Sequence, residues 1–248
     1  MQAVLNRIRV IETPPIWSTV SALLFAIVYG VVWIAAQTFA VTISGGDLNA
    51  PTPTGLALGV LIASALSALV VIQWVRRRLP DDWPRALHLE TSHSIPLFAV
   101  ILIGLGAAFA VDLIGVLLRL NGGQVVPPAL IILADQNAPI VGWAIAAITA
   151  IVIQPIGEEL IFRGLLYPSL AARFGNVASI VLTSLIYMAI MAVLAGPLPW
   201  YAIIQPLLMS LVVTTMRAHT QSTQMAIVTR AAFGLFLVLS PLISARLA

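Results

Sequence analysis

The sequence predicts an all-α, polytopic integral membrane protein, and three observations carry that expectation. Sixty per cent of the 248 residues are hydrophobic and only 8% are charged, whereas a soluble domain devotes about a quarter of its residues to charge. The mean hydropathy is +1.06. The apolar residues also gather into stretches of about 20, the length that crosses roughly 30 Å of hydrocarbon as a helix. Length alone would admit one or two domains. Because apolar stretches fill the chain, a single membrane domain over residues 1–248 is expected, with the lipid bilayer as its first partner.

The elements follow in order. The first span is expected at 16–43, closed by a Gly/Pro/Asp-bearing turn at 44–54. The second, 55–75, stops at Arg76-Arg77-Arg78. A polar connector at 80–94, carrying Asp81, Asp82, Arg85 and Glu90, suits a short helix along the interface. The third span, 95–118, contains Asp112, and Asn121-Gly122-Gly123 with Pro127-Pro128 marks a loop after it. The fourth, 139–156, is disturbed at its end by Pro155 and Gly157, and a shorter helix is expected to start afresh at 158–172. Segments 177–195, 200–217 and 224–245 complete eight helical segments, seven or eight of them spanning.

The charges set the orientation and exclude other classes. All 12 basic residues are arginine, giving a formal charge of +3. Arg7 and Arg9 precede the first span, and Arg76, Arg77, Arg78 and Arg85 follow the second. Arginine excess marks the cytoplasmic side, so the N-terminus is expected there, in a membrane such as the bacterial cytoplasmic membrane. No basic stripe exceeds three residues, which argues against nucleic acid as a partner. Cysteine is absent, so disulfides and thiolate metal sites are excluded. No small-residue cleavage site follows a short apolar run, and the first long segment is read as a retained span.

Ionisable residues inside apolar segments are costly and are functional candidates by default. The densest group is Gly157-Glu158-Glu159-Leu160-Ile161-Phe162-Arg163-Gly164. Glu159 and Arg163, four apart, share a helix face and can pair. Glu158 points about 100° away and is left without a sequence-local partner. A new helix starting after Pro155 would place both carboxylates at its N-terminus, where negative charge is favoured. The plain alternative is a buried ion pair that only fixes helix register.

Glu158-Glu159-x-x-x-Arg163, followed by Gly164-Leu165-Leu166-Tyr167-Pro168, resembles the first motif of the CPBP intramembrane proteases. That family is also called Abi or CAAX-protease-like and includes prenyl endopeptidases. The resemblance covers about 140–239. It implies an eight-helix intramembrane fold with a buried site, in which the first glutamate and a histidine activate water to cleave a peptide bond. The second glutamate and the arginine support the site, and no cofactor is implied.

Two family motifs depart from the pattern. The F-x-x-x-H motif falls on Tyr187-Met188-Ala189-Ile190-Met191, with Met191 at the histidine place. An R-x-x-T-G-S-like turn is recognisable as Arg217-Ala218-His219-Thr220-Gln221-Ser222. Counting on from it, Arg230 occupies the second histidine place and Gly234 the asparagine place. The three histidines present, His88, His93 and His219, fall in the connector and the turn and are read as interfacial. No cluster offers three metal ligands.

The reading is therefore a degenerate, non-proteolytic member of this family, serving as a binding or scaffolding subunit for a membrane-protein partner or a lipidated peptide. The retained Glu158, Glu159 and Arg163 would be vestigial catalytic residues. An active endopeptidase using the two glutamates with an unconventional partner is the alternative. A transporter would want two matching broken helices. Charge balance adds one expectation: Arg163 pairs with Glu159 and Arg230 with Glu158, in a neutral four-residue cluster.

Overall fold

The computed structural model describes residues 14–47, 51–90, 95–117, 132, 139–195 and 200–247. Arg7, Arg9, His93 and the 121–128 loop signals lie outside these. The described residues form eight helices and no strand: α1 (Thr19–Ile43), α2 (Pro53–Arg78), a one-turn α3 (Trp83–Ala86), α4 (Leu97–Leu117), α5 (Ile140–Phe174), α6 (Asn176–Ala195), α7 (Trp200–Thr220) and α8 (Thr223–Leu247). Among the described residues, six (α1, α2, α4, α5, α6 and α8) are long and apolar enough to cross a membrane. The 21-residue α7 packs against α4, α6 and α8. The protein is an all-α polytopic membrane protein.

Its surface is the inverse of a soluble protein's. Large apolar side chains such as Val20, Leu24, Ile27, Val31 and Ile34 of α1 face outward. The inner face of that helix is a stripe of Ala22, Ala26, Tyr29, Ala36, Gln37 and Ala40. Lipid tails are as apolar as leucine, so membrane helices associate through close packing of small residues and internal hydrogen bonds. α2 answers with Gly55, Ala57, Gly59, Ala63 and Ser64. A Cβ on Gly59 would stand 2.7 Å from the Gln37 carboxamide carbon, and one on Gly157 would run into the Ser64 carbonyl.

Several helix ends meet at one end of the bundle. The Trp17 indole N–H donates to the Leu165 carbonyl at 3.0 Å, and its ring lies 6.0 Å from that of Trp74. The Thr223 N–H donates to the His88 carbonyl at 2.8 Å, and the Ser222 hydroxyl to the Glu90 carbonyl at 2.7 Å. The start of α1, the ends of α2 and α5, the connector and the α7–α8 turn are therefore held together. Gln221 in that turn has φ of +54°, a left-handed conformation that glycine adopts without cost. This accounts for the glycine in the motif that the turn resembles.

One expectation is overturned. The two segments 139–156 and 158–172 are a single 35-residue helix, Ile140–Phe174, and the glutamates do not begin a helix. Both prolines are absorbed by widened π turns, Thr149–Ile153 before Pro155 and Leu160–Leu166 before Pro168. Proline lacks an N–H, and its ring crowds the carbonyl four residues back. In each case the preceding N–H reaches back five residues, Gln154 to Thr149 and Tyr167 to Phe162. The backbone stays right-handed helical at every junction. Proline breaks a helix of fixed pitch, and here a local change of pitch absorbs it.

The same geometry releases one carbonyl at each π turn. With Gln154 bonded to Thr149 and Pro155 unable to donate, the Ala150 oxygen loses its helical donor. By the same step at Tyr167 and Pro168, so does that of Arg163. Such groups are tolerated at membrane depth when they are covered by protein. The Arg163 oxygen accepts from Arg217 Nε at 3.3 Å and from the Thr223 hydroxyl at 3.4 Å. The Ala150 oxygen is covered by α8 at Gly234, where an added Cβ would overlap it.

Candidate functional site

The cluster sits inside the bundle. Tyr29 lies ten residues into α1, about 15 Å at the helical rise, and Arg230 seven into α8, about 10 Å. Glu158, Glu159 and Arg163 have no exposed surface, and Arg230 is 5% exposed.

Glu158 is approached by four donors from four helices. Its Oε1 accepts from the Tyr29 hydroxyl at 3.2 Å and the Gln154 amide at 2.7 Å. Its Oε2 accepts from the Tyr187 hydroxyl at 2.8 Å and from Arg230 Nε at 3.3 Å. An ionised carboxylate offers about four lone-pair sites and no proton, and every group facing it here is a donor. The site thus fits a charged Glu158 with its acceptor capacity filled.

Glu159 is held differently. Its Oε1 takes Arg163 Nη1 at 3.1 Å, one turn along the same helix. The Arg163 guanidinium also donates to the Thr214 hydroxyl at 3.1 Å, the Ser210 hydroxyl at 2.6 Å and the Ser210 carbonyl at 3.2 Å. It lies 5.2 Å from the centre of the Tyr187 ring. Ser210 and Thr214, four apart on α7, present one polar face to it. Both ion pairs expected from charge balance are present, Glu158–Arg230 and Glu159–Arg163, so two carboxylates face two guanidiniums.

The positions at which the sequence departs from the motifs it resembles fall in or beside this cluster. Tyr187, at the phenylalanine place, contributes its hydroxyl to Glu158 and packs edge-on against Phe162 at 4.9 Å. Met191, one turn further, packs as a partly buried hydrophobe against the core around Leu160, Phe162 and Tyr187. Arg230 supplies the counter-charge, and Gly234 the close crossing with Ala150. His88 and His219 belong to the end of the bundle. There α7 and α8 cap the Arg163 carbonyl, roughly 8 Å along α5 from Glu158.

Sequence reasoning missed four partners. Gln154 was the most legible: it precedes Glu158 by four residues, the same spacing that was read for Glu159 and Arg163. Ser210 and Thr214 repeat that spacing on α7. Tyr29, 129 residues away in sequence, gave no signal beyond a lone hydroxyl in an apolar span. Asp112, the carboxylate inside the third apolar segment, is half-buried on α4 without a hydrogen-bond partner among the described residues. Among those residues no group of three or more His, Asp or Glu side chains is placed to hold a metal ion.

Comparison with protein-family models matches residues 140–236 to the family described as type II CAAX prenyl endopeptidase Rce1-like. The match runs from the start of α5 into α8 and takes in every charged residue of the cluster. Comparison with curated proteins and with solved structures gives no match.

Proposed function

From the match of residues 140–236 to the type II CAAX prenyl endopeptidase Rce1-like family, we propose that this membrane protein is a non-proteolytic member of it. On this reading it serves as a binding or scaffolding subunit for a membrane-protein partner or a lipidated peptide. One observation carries the reading: the carboxylate at the water-activating position, Glu158, has Tyr29, Gln154, Tyr187 and Arg230 on its two oxygens. A general base must accept a hydrogen bond from the water it activates. Glu158 would have to give up one of these donors to do so. The two histidine places, Met191 and Arg230, supply no neutral base in its stead.

Buried, paired charge suits a structural use. A neutral four-residue cluster ties α5 to α8, with α1 and α6 joined through Tyr29 and Tyr187 and α7 through Ser210 and Thr214. A core fixed in this way can present its outer helices to a partner while binding nothing at its centre.

The test is turnover by the purified protein in lipid nanodiscs. Prenylated and unprenylated peptides ending in a CAAX sequence are offered to the wild type and to Glu158→Gln. Equal background rates are expected, since a positioned base ordinarily supplies about 10²–10⁴-fold. Cleavage that Glu158→Gln abolishes would establish the endopeptidase instead. A gentle-detergent pull-down then addresses the binding role, through a stoichiometric membrane partner.

A further inference from the structure

We infer that the end of α2 is a binding site for a phospholipid with an anionic headgroup. α2 turns Leu69, Val70, Gln73 and Arg77 outward, at spacings of three and four residues that lie on one helical face. With Trp74 and Arg78 they line a cavity of about 490 Å³. Leu69 and Val70 are 56% and 52% exposed, an apolar trough open to the side. The lining includes two guanidiniums, of Arg77 and Arg78, and no carboxylate.

The depth fits a lipid that stands upright. The 26 residues of α2 rise about 39 Å against a hydrocarbon layer of roughly 30 Å. Its last turn therefore reaches the headgroup level while Leu69 and Val70 remain among the acyl chains. Arg78 is already placed, its guanidinium 4.0 Å from the Trp74 ring centre. Trp74 is in turn fixed edge-on against Phe25 at 4.8 Å. A stacked guanidinium keeps its N–H edge free for phosphate oxygens.

Charge at this end is not used up internally. Asp82 and Glu90 are engaged by Arg85, at 3.8 Å and 2.8 Å. Asp81, the remaining acid of the connector, is exposed and is not part of the cavity. Arg77 and Arg78 are left to face a phosphodiester. With an uncharged headgroup such as glycerol the phosphodiester keeps its net negative charge for the two guanidiniums, whereas a choline headgroup returns a positive charge to the same place. The acyl chain lies in the Leu69–Val70 trough, which separates this site from one for free phosphate.

Native mass spectrometry of the detergent-purified chain tests the site. Phosphatidylglycerol, phosphatidylcholine with the same acyl chains, and glycerol 3-phosphate are titrated separately. One retained phosphatidylglycerol is expected, preferred over phosphatidylcholine on the order of tenfold, with glycerol 3-phosphate not retained. R77Q/R78Q should lose that preference, and R85Q, an equal loss of charge outside the cavity, should keep it. Arg77→Gln alone, at an exposed side chain, serves if the double variant does not fold. Equal retention of both lipids, equal behaviour of R77Q/R78Q and R85Q, or retention of glycerol 3-phosphate would each overturn the inference.

Discussion

Glu158 shows how one buried charge dictates its surroundings. Two carboxylates adjacent in sequence cannot both remain charged in a low-dielectric interior unless two cations answer them. Arg163 is supplied by the same helix, one turn away, while Arg230 comes from 72 residues further along the chain. Removing one partner of a buried pair typically costs about 3–5 kcal/mol, because the other is left uncompensated. Arg230→Ala is expected to destabilise the protein by that order. Glu158→Gln with Arg230→Met should recover much of the loss, since no uncompensated charge then remains. Thermal unfolding of the two variants in one detergent measures both. Equal stability of Arg230→Ala and the wild type would refute a structural role for the pair.

At the scale of the element, α5 carries its two prolines by widening twice, and each widening hands a backbone oxygen to a neighbouring helix. The Arg163 oxygen is met by side chains from α7 and α8. The Ala150 oxygen is met by bare backbone at Gly234, a crossing that leaves no room for a side chain there. Restoring the motif by Gly234→Asn should therefore destabilise the protein, by about 1–3 kcal/mol as overpacking does, and more if α8 cannot shift. Gly106, which has nothing within 4 Å of its Cβ position, is the control: Gly106→Ala should be close to neutral or stabilising. An unfolding midpoint for Gly234→Asn equal to that of wild type would show that the helices separate freely.

At the scale of the whole molecule, one end of the bundle is rich in arginine among the described residues. Arg76, Arg77, Arg78 and Arg85 are there, and α5 brings Arg173 to the same end, beside Pro14, Pro15 and Trp17. We propose that this end faces the cytoplasm, by the asymmetry of basic residues between short loops. Because the chain has no cysteine, single cysteines report without background. Pro14→Cys should be shielded from a membrane-impermeant thiol reagent in intact cells, and Pro51→Cys, between α1 and α2, should be labelled. The reverse pattern would invert the topology.

Composition and the lengths of the apolar stretches were sufficient for the all-α membrane class, and helical spacing for the Glu159–Arg163 pair. Both are local properties: a span is a run of adjacent residues, and an i,i+4 pair lies on one turn. The Glu158–Arg230 pair was legible only through charge balance joined to a family resemblance. Its other donors from distant helices, Tyr29 and Tyr187, needed the packed bundle, because a lone hydroxyl in an apolar span carries no address. The unbroken course of α5 was likewise decided by tertiary structure. Pro155 and Pro168 weaken a helix in isolation, and only neighbours that cover the released Ala150 and Arg163 oxygens let the chain run on through them.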